Sequence, residues 1–234
     1  MQCCKLKGIF FDVGNTLAFL NYSFIKDVSK EFGVDVDVEK IRLIEYQTRS
    51  LVNNAVSKAT KGDDHSRWIL YFSEILKQVG FSDKNIIQNI LEKLYLYHKK
   101  SNLWNQLSDD VVETLEYLKD KKYKLGVISN SDGRIAQLLS EIGIWDFFDV
   151  VIDSGIVGIE KPNKEIFEIA LKEIKLEPSE CAYVGDLYEI DIVGAKSAGM
   201  IGILIDPIGN FNKADCHIIK KINDIKYLID DCII

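Results

Sequence analysis

Residues 8–17 read GIFFDVGNTL, and the reading of this stretch decides the fold. The apolar run Leu6 to Phe11 stops at a carboxylate, Asp12. Further runs follow at Lys124 to Ile128, Val150 to Ile152, Cys181 to Val184 and Ile201 to Ile205, with a weaker one at Cys216 to Ile219. Between them lie helix-like segments at about 108–121, 132–142, 163–174 and 189–198. Ser108-Asp109-Asp110 reads as a cap and acidic first turn, with Val112, Leu115 and Leu118 on one face. Buried strands that alternate with helices predict an α/β fold with a Rossmann-like parallel sheet.

Polar residues stand just past the ends of three runs. Asp12 follows Ile9-Phe10-Phe11, Ser129 follows Val127-Ile128, and Asp186 follows Tyr183-Val184-Gly185. In a parallel sheet such positions converge at the carboxyl edge, where open α/β folds bind ligands. A single strand-end Asp is more often a cap or turn residue. Three such strand-end positions, two carboxylates and a hydroxyl, together with the Lys161-Pro162 segment, favour a shared pocket.

Residues 19–103 read differently. Helical patterns near 22–32, 38–59, 65–79 and 83–99 are separated by Gly33, Gly62 and Gly80-Phe81-Ser82-Asp83, and no strand is expected. The segment is too long for a simple connection. The expected organisation is a discontinuous core, 1–18 and 104–234, carrying an all-helical domain, 19–103, inserted after the first strand. Trp68, Tyr71, Phe72 and Ile75 fall at helical spacing and form the expected packed face of one of its helices.

Composition narrows the class. The chain has 234 residues, 47% of them hydrophobic and only three of them proline, so a sizeable core is expected and dominant disorder is excluded. A net charge of −7 argues against charge-driven nucleic-acid binding. No apolar run reaches the roughly 20 residues that span a bilayer. The first residues run straight into the Asp12 motif, so no signal peptide is expected and the expected location is the cytoplasm. The five cysteines, Cys3, Cys4, Cys181, Cys216 and Cys232, include no C-x-x-C pair. They read as free thiols, with Cys181 in a buried strand, rather than as a zinc site. Terminal cross-links are the alternative for a hyperthermophilic source.

Four motifs, FFDVGNTL at Phe10 to Leu17, VISNSD at Val127 to Asp132, GIEKPNKEIF at Gly158 to Phe167 and YVGDLYEIDIVGAKSAGM at Tyr183 to Met200, resemble those of the haloacid dehalogenase superfamily, in order and over the whole chain. The final motif resembles the phosphatase members most, and the helical insert matches the family's cap. The resemblance implies a Mg²⁺-dependent hydrolase acting on a small phosphorylated metabolite. Asp12 would be the nucleophile that forms an aspartyl phosphate. The Asp12 carboxylate, the Gly14 carbonyl and Asp186 would hold Mg²⁺, a cation that prefers oxygen ligands. Asp191 would bind the metal through water or orient Asp186; stabilising a helix N-terminus is the equal alternative. Ser129 and the Asn130 backbone N–H would contact the phosphoryl oxygens, and Lys161 would offset transition-state charge. Thr16 would bond near Asp12 or cap a helix. Arg49, His65 and Arg67 are candidate substrate contacts from the insert, since Arg pairs well with anions, although ordinary surface charge is the commoner role. His98 and His217 are not expected in the chemistry.

One departure stands out. Most phosphatases of this family carry a second Asp two residues after the nucleophile, as acid and then base. Here that position is Gly14, and the adjacent Asn15 is an amide that cannot replace it. Two other readings therefore stand beside the phosphatase: a metal-independent haloacid dehalogenase, and a phosphate- or protein-binding module without catalysis. The Gly185-Asp186 pair fits the phosphatase better than the dehalogenase.

Overall fold

A computed structural model describes residues 6–58, 64–211, 215–231 and 233–234. Its strands are β1 (Gly8–Phe11), β2 (Phe19–Leu20), β3 (Trp104–Gln106), β4 (Lys124–Ser129), β5 (Val150–Asp153), β6 (Cys181–Gly185), β7 (Ile201–Ile205) and β8 (His217–Ile219). Six of them form one sheet in the order β5-β4-β1-β6-β7-β8, and every neighbouring pair is parallel. β1 and β6 are buried along their whole length, which explains their unbroken apolar sequence. Gly126 of β4 is needed for close packing, because a Cβ there would run into the Phe10 ring.

The chain divides into two compact units, residues 1–19 with 106–234, and residues 20–105. The second unit contains α1 (Tyr22–Glu31), α2 (Val38–Lys58), α3 (Asp64–Val79) and α4 (Lys84–Ser101). Asn21 caps α1 by accepting from the Phe24 N–H at 3.0 Å, and Asp83 caps α4 by accepting from the Asn85 and Ile86 N–H groups. The unit has its own core, in which Tyr71, Phe72 and Ile75 of α3 are buried with Ile25, Ile41 and Ile90, and Trp68 packs against them. The expectation of no strand in 19–103 is corrected in one detail. β2 and β3 pair as a two-stranded sheet where the chain passes between the units. Strands of two and three residues are too short to show alternation in sequence.

The first unit adds α5 (Asp109–Asp120), α6 (Ile135–Glu141), α7 (Ser154–Val157), α8 (Lys164–Ile174), α9 (Val193–Ser197) and α10 (Ile225–Asp230). Val111, Thr114, Leu115 and Leu118 form the buried stripe of α5, so Val111 takes the place expected of Val112. Ser108 makes no side-chain cap bond. The helix expected at 189–198 begins as a single wider π-type turn, Tyr188–Ile192, before α9. Cys181 is buried and Cys216 half-buried, and both are free thiols. Burial pushes them up to about 12 and about 11, which favours the protonated thiol. Cys3, Cys4 and Cys232 lie outside the described residues. No described helix is long and apolar enough to cross a membrane.

Candidate active site

The sheet register explains the site. Phe11 is level with Val127 on one side and Val184 on the other. Asp12, Ser129 and Asp186 therefore emerge at one carboxyl edge. A tight loop follows Asp12, closed by Leu17 N–H to Val13 C=O at 2.9 Å and Asn15 N–H to Ala18 C=O at 2.7 Å. Its left-handed residue is Asn15, at φ 60°. Asn tolerates this conformation better than most side chains. Gly14 is only half-buried in this loop.

Four charged groups meet here although almost no water reaches them: Asp12 is 8% exposed, Asp186 5%, Asp191 1% and Lys161 4%. The Lys161 Nζ donates to Asp12 Oδ1 at 2.6 Å, to Asp191 Oδ1 at 2.7 Å and to the Tyr183 hydroxyl at 2.8 Å. Asn15 Nδ2 lies 3.5 Å from Asp186 Oδ2. Burial pushes the Asp12 carboxyl up to about 6, with Lys161 pulling it down and Asp191 pushing it further up. Burial works against the Lys161 ammonium, yet Asp12 and Asp191 together hold it above the usual lysine range.

Asp191 shows a geometric counterpart for each of its two expected roles. Its Oδ2 accepts from the Leu187 N–H at 2.9 Å, which steadies the turn after β6. One of its oxygens also lies within 4.8 Å of ligand oxygens of Asp12 and Asp186. Gly185 makes this approach possible, since a Cβ there would lie 2.5 Å from the Asp191 carboxyl carbon. Asp12 and Asp191 share one ammonium, and Asp186 has a ligand oxygen within 4.8 Å of theirs, so three carboxylates gather where a divalent cation would offset their charge. The donors are all carboxylate oxygens, the chemistry of a Mg²⁺ site rather than of a softer metal, so these residues fit the group.

Ser129, 3% exposed, ends β4 at the same edge. Asn130 has a part that sequence reasoning missed. Its side chain clamps the Lys161 backbone from both sides, donating to the carbonyl at 3.0 Å and accepting from the N–H at 2.8 Å. Asn163 then caps α8 by accepting from the Glu165 N–H at 3.0 Å. Lys161 is thus fixed by its backbone before its side chain reaches the carboxylates. Tyr183 was missed as well. A tyrosine in the otherwise small and aliphatic run CAYVG was the available signal, because a buried hydroxyl must find partners.

The insert residues belong to the second unit. Arg49 is 5% exposed within the helical unit and gives two hydrogen bonds, 2.5 and 2.7 Å, to the fully buried Glu45. Tyr22 donates to the same carboxylate at 3.0 Å, and Tyr71 also donates to it. Arg49, expected as a substrate contact, is therefore committed to the interior of its own unit. Arg67 is half-buried on α3, and His65 is exposed with its ring 5.0 Å from that of Tyr95. His98 accepts from the Leu103 N–H at 3.1 Å.

A parallel sheet with a buried carboxylate–lysine cluster at its carboxyl edge belongs to a class of α/β hydrolytic enzymes. The family profile of the haloacid dehalogenase-like hydrolases matches residues 6–199. The chain belongs to this family and is a hydrolase of it. Among curated proteins it is 32% identical over 203 residues to the glyceraldehyde 3-phosphate phosphatase of Methanothermobacter thermautotrophicus, covering 86% of each chain. It is also 32% identical over 209 residues to the haloacid dehalogenase-like hydrolase domain-containing protein 3 of Bos taurus, covering 86% of this chain and 82% of the relative. Among solved structures it is similar to a HAD phosphatase from Thermococcus onnurineus, with a TM-score of 0.60, 26% identity, and 96% and 98% of the two chains covered.

Proposed function

We propose that this hydrolase is a Mg²⁺-dependent phosphatase of the cytoplasm that acts on a small phosphorylated metabolite through an aspartyl phosphate on Asp12. The observation that carries this reading is the buried contact of Asp12 with Lys161 beside two further carboxylates. The relative from Methanothermobacter, a glyceraldehyde 3-phosphate phosphatase by name, supports a small phosphorylated metabolite as the substrate class.

Asp12, Asp186, Asp191 and the Gly14 carbonyl would hold the cation, which when bound would supply positive charge to offset that of the carboxylates and the phosphoryl group. The Asp12 carboxylate attacks phosphorus, and the bond to the leaving oxygen breaks as the new one forms. Ser129 donates its hydroxyl proton to a phosphoryl oxygen, and the Asn130 N–H adds a second donor. The Lys161 ammonium opposes the charge that builds on the phosphoryl group. Water then cleaves the acyl phosphate and restores Asp12. Gly14 offers no acid for the leaving oxygen, which departs as an anion. The helical unit, with Arg67 on its surface, selects the substrate.

Hydrolysis of para-nitrophenyl phosphate with and without Mg²⁺ tests this reading. Turnover that needs Mg²⁺ is expected. Chloride release from 2-chloropropionate in chelator would establish the dehalogenase instead, and inactivity in both assays would point to a binding module.

A further inference from the structure

We infer that Tyr183 is a positioning residue that holds the Lys161 ammonium in register with Asp12 by accepting the hydrogen bond of its third N–H and tying it to the end of β4. This rests on the reading of Lys161 as the group that meets the phosphoryl charge.

An ammonium has three protons, and Lys161 places one on each of three acceptors: Asp12 Oδ1, Asp191 Oδ1 and the Tyr183 hydroxyl. The Tyr183 hydroxyl has a single proton and gives it to the Ile128 carbonyl at 2.7 Å. It therefore meets Lys161 as an acceptor. The hydroxyl's other acceptor, Asp191 Oδ1, is farther at 3.4 Å, and with either partner Tyr183 meets Lys161 as an acceptor.

The topology gives this chain its mechanical sense. Tyr183 stands on β6, Ile128 on β4, and β1 lies between those strands. The tyrosine side chain spans β1 beneath the exit of Asp12 and reaches the residue just before Ser129. One hydroxyl thus links the ends of β4 and β6 to the lysine that enters from the α8 side. Two carboxylates alone would leave a flexible four-carbon stem free to pivot between them. The third, uncharged contact removes that freedom without adding negative charge. The ring is itself held by the edge of Phe167 on α8, with centroids 5.1 Å apart at 79°. Its hydroxyl is completely enclosed, so no water takes its place.

Tyr183→Phe keeps the ring and its packing and deletes only the acceptor. Single-turnover cleavage of para-nitrophenyl phosphate should fall roughly tenfold to a hundredfold, as for loss of a hydrogen bond to a charged group, with KM changed less than about threefold. In a Lys161→Met background the same substitution should change the rate less than about twofold. A purely structural tyrosine would cost as much in that background as in wild type, and that result overturns the proposal. The second readout needs no catalysis. With ¹⁵N-lysine, the Lys161 ammonium signal, assigned by its loss in Lys161→Met, should shift and exchange faster with solvent in Tyr183→Phe. An unmoved signal also overturns the proposal. If Tyr183→Phe does not fold, 3-fluorotyrosine incorporation into wild type carries the same test, because the more acidic phenol is a poorer acceptor and must move the signal. A wild type inactive on phosphate esters whose Lys161 signal still depends on Tyr183 would sink the phosphatase reading and leave this tie standing.

Discussion

The Lys161 ammonium lies 2.6 Å from Asp12 Oδ1, across 149 residues of sequence. The contact joins the end of the first strand to the approach of α8, and both partners are enclosed. A buried ion pair of this kind contributes little net stability, since desolvation cancels most of the attraction. It persists here because Asp12 and Asp191 would otherwise face each other without a cation.

Lys161→Met removes that cation and leaves buried carboxylates unpaired. In EDTA the variant should lose about 3–5 kcal/mol of stability, measured by urea unfolding. Saturating Mg²⁺ should restore part of the loss. A variant as stable as wild type in EDTA would mean that the lysine does not hold these carboxylates together.

Asp12→Asn keeps the shape of the side chain and removes its charge and nucleophilicity. Turnover should drop by at least about a thousandfold, in the manner of a deleted nucleophile. The melting temperature should stay within the roughly 2–4 °C that 1 kcal/mol moves a chain of this size. Activity within a few-fold of wild type would remove Asp12 from the nucleophile's role.

Chelation supplies a test of the carboxylate triad. EDTA should abolish phosphatase activity and Mg²⁺ should restore it. Mg²⁺ at about a hundred times its Kd should stabilise wild type by about 2.7 kcal/mol. Asp186→Asn should lose most of that gain, because it changes one of the three carboxylates that could hold the ion. Equal stabilisation of both proteins would place the cation elsewhere.

The parts of the site that follow strict rules were legible in the sequence. Asp12, Ser129 and Asp186 each sit just past an apolar run, and parallel strands bring such positions to one edge. Lys161 was legible only through its resemblance to a family motif, because nothing local distinguishes it from a surface lysine. The Asn130 clamp on Lys161 and the Tyr183 bridge to Ile128 join residues 31 and 55 positions apart. Pairings between side chains and distant backbone groups leave no periodic trace. The commitment of Arg49 to Glu45 is an i,i+4 pair on α2 and could have been read as such. Charge type alone drew it toward the substrate.

Arg49 therefore carries a stability prediction. Arg49→Met leaves the fully buried Glu45 without its charged partner, with the uncharged Tyr22 and Tyr71 hydroxyls still donating to it. Loss of one member of a buried pair should cost about 3–5 kcal/mol. Adding Glu45→Gln to that variant should recover a good part of it. A stable Arg49→Met protein with altered substrate ranking would return Arg49 to the substrate.

Gly14 sets the reactivity profile. Without an acid there, the leaving oxygen must depart largely as an anion. Aryl and acyl phosphates, whose leaving groups are weak bases, should therefore react much faster than alkyl phosphates such as sugar phosphates. The aspartyl phosphate also lacks a base to activate water, so it should accumulate and be trapped by acid quench. Gly14→Asp supplies both functions and should raise alkyl phosphate turnover by up to about 10²–10⁴-fold. The left-handed conformation of the loop falls on Asn15, and position 14 is half-buried. Steady-state rates on one aryl and one alkyl phosphate, for both proteins and with melting curves, provide the measurement. If wild type already cleaves the alkyl ester as fast as the aryl one, Gly14 is no handicap, and another residue protonates the leaving group.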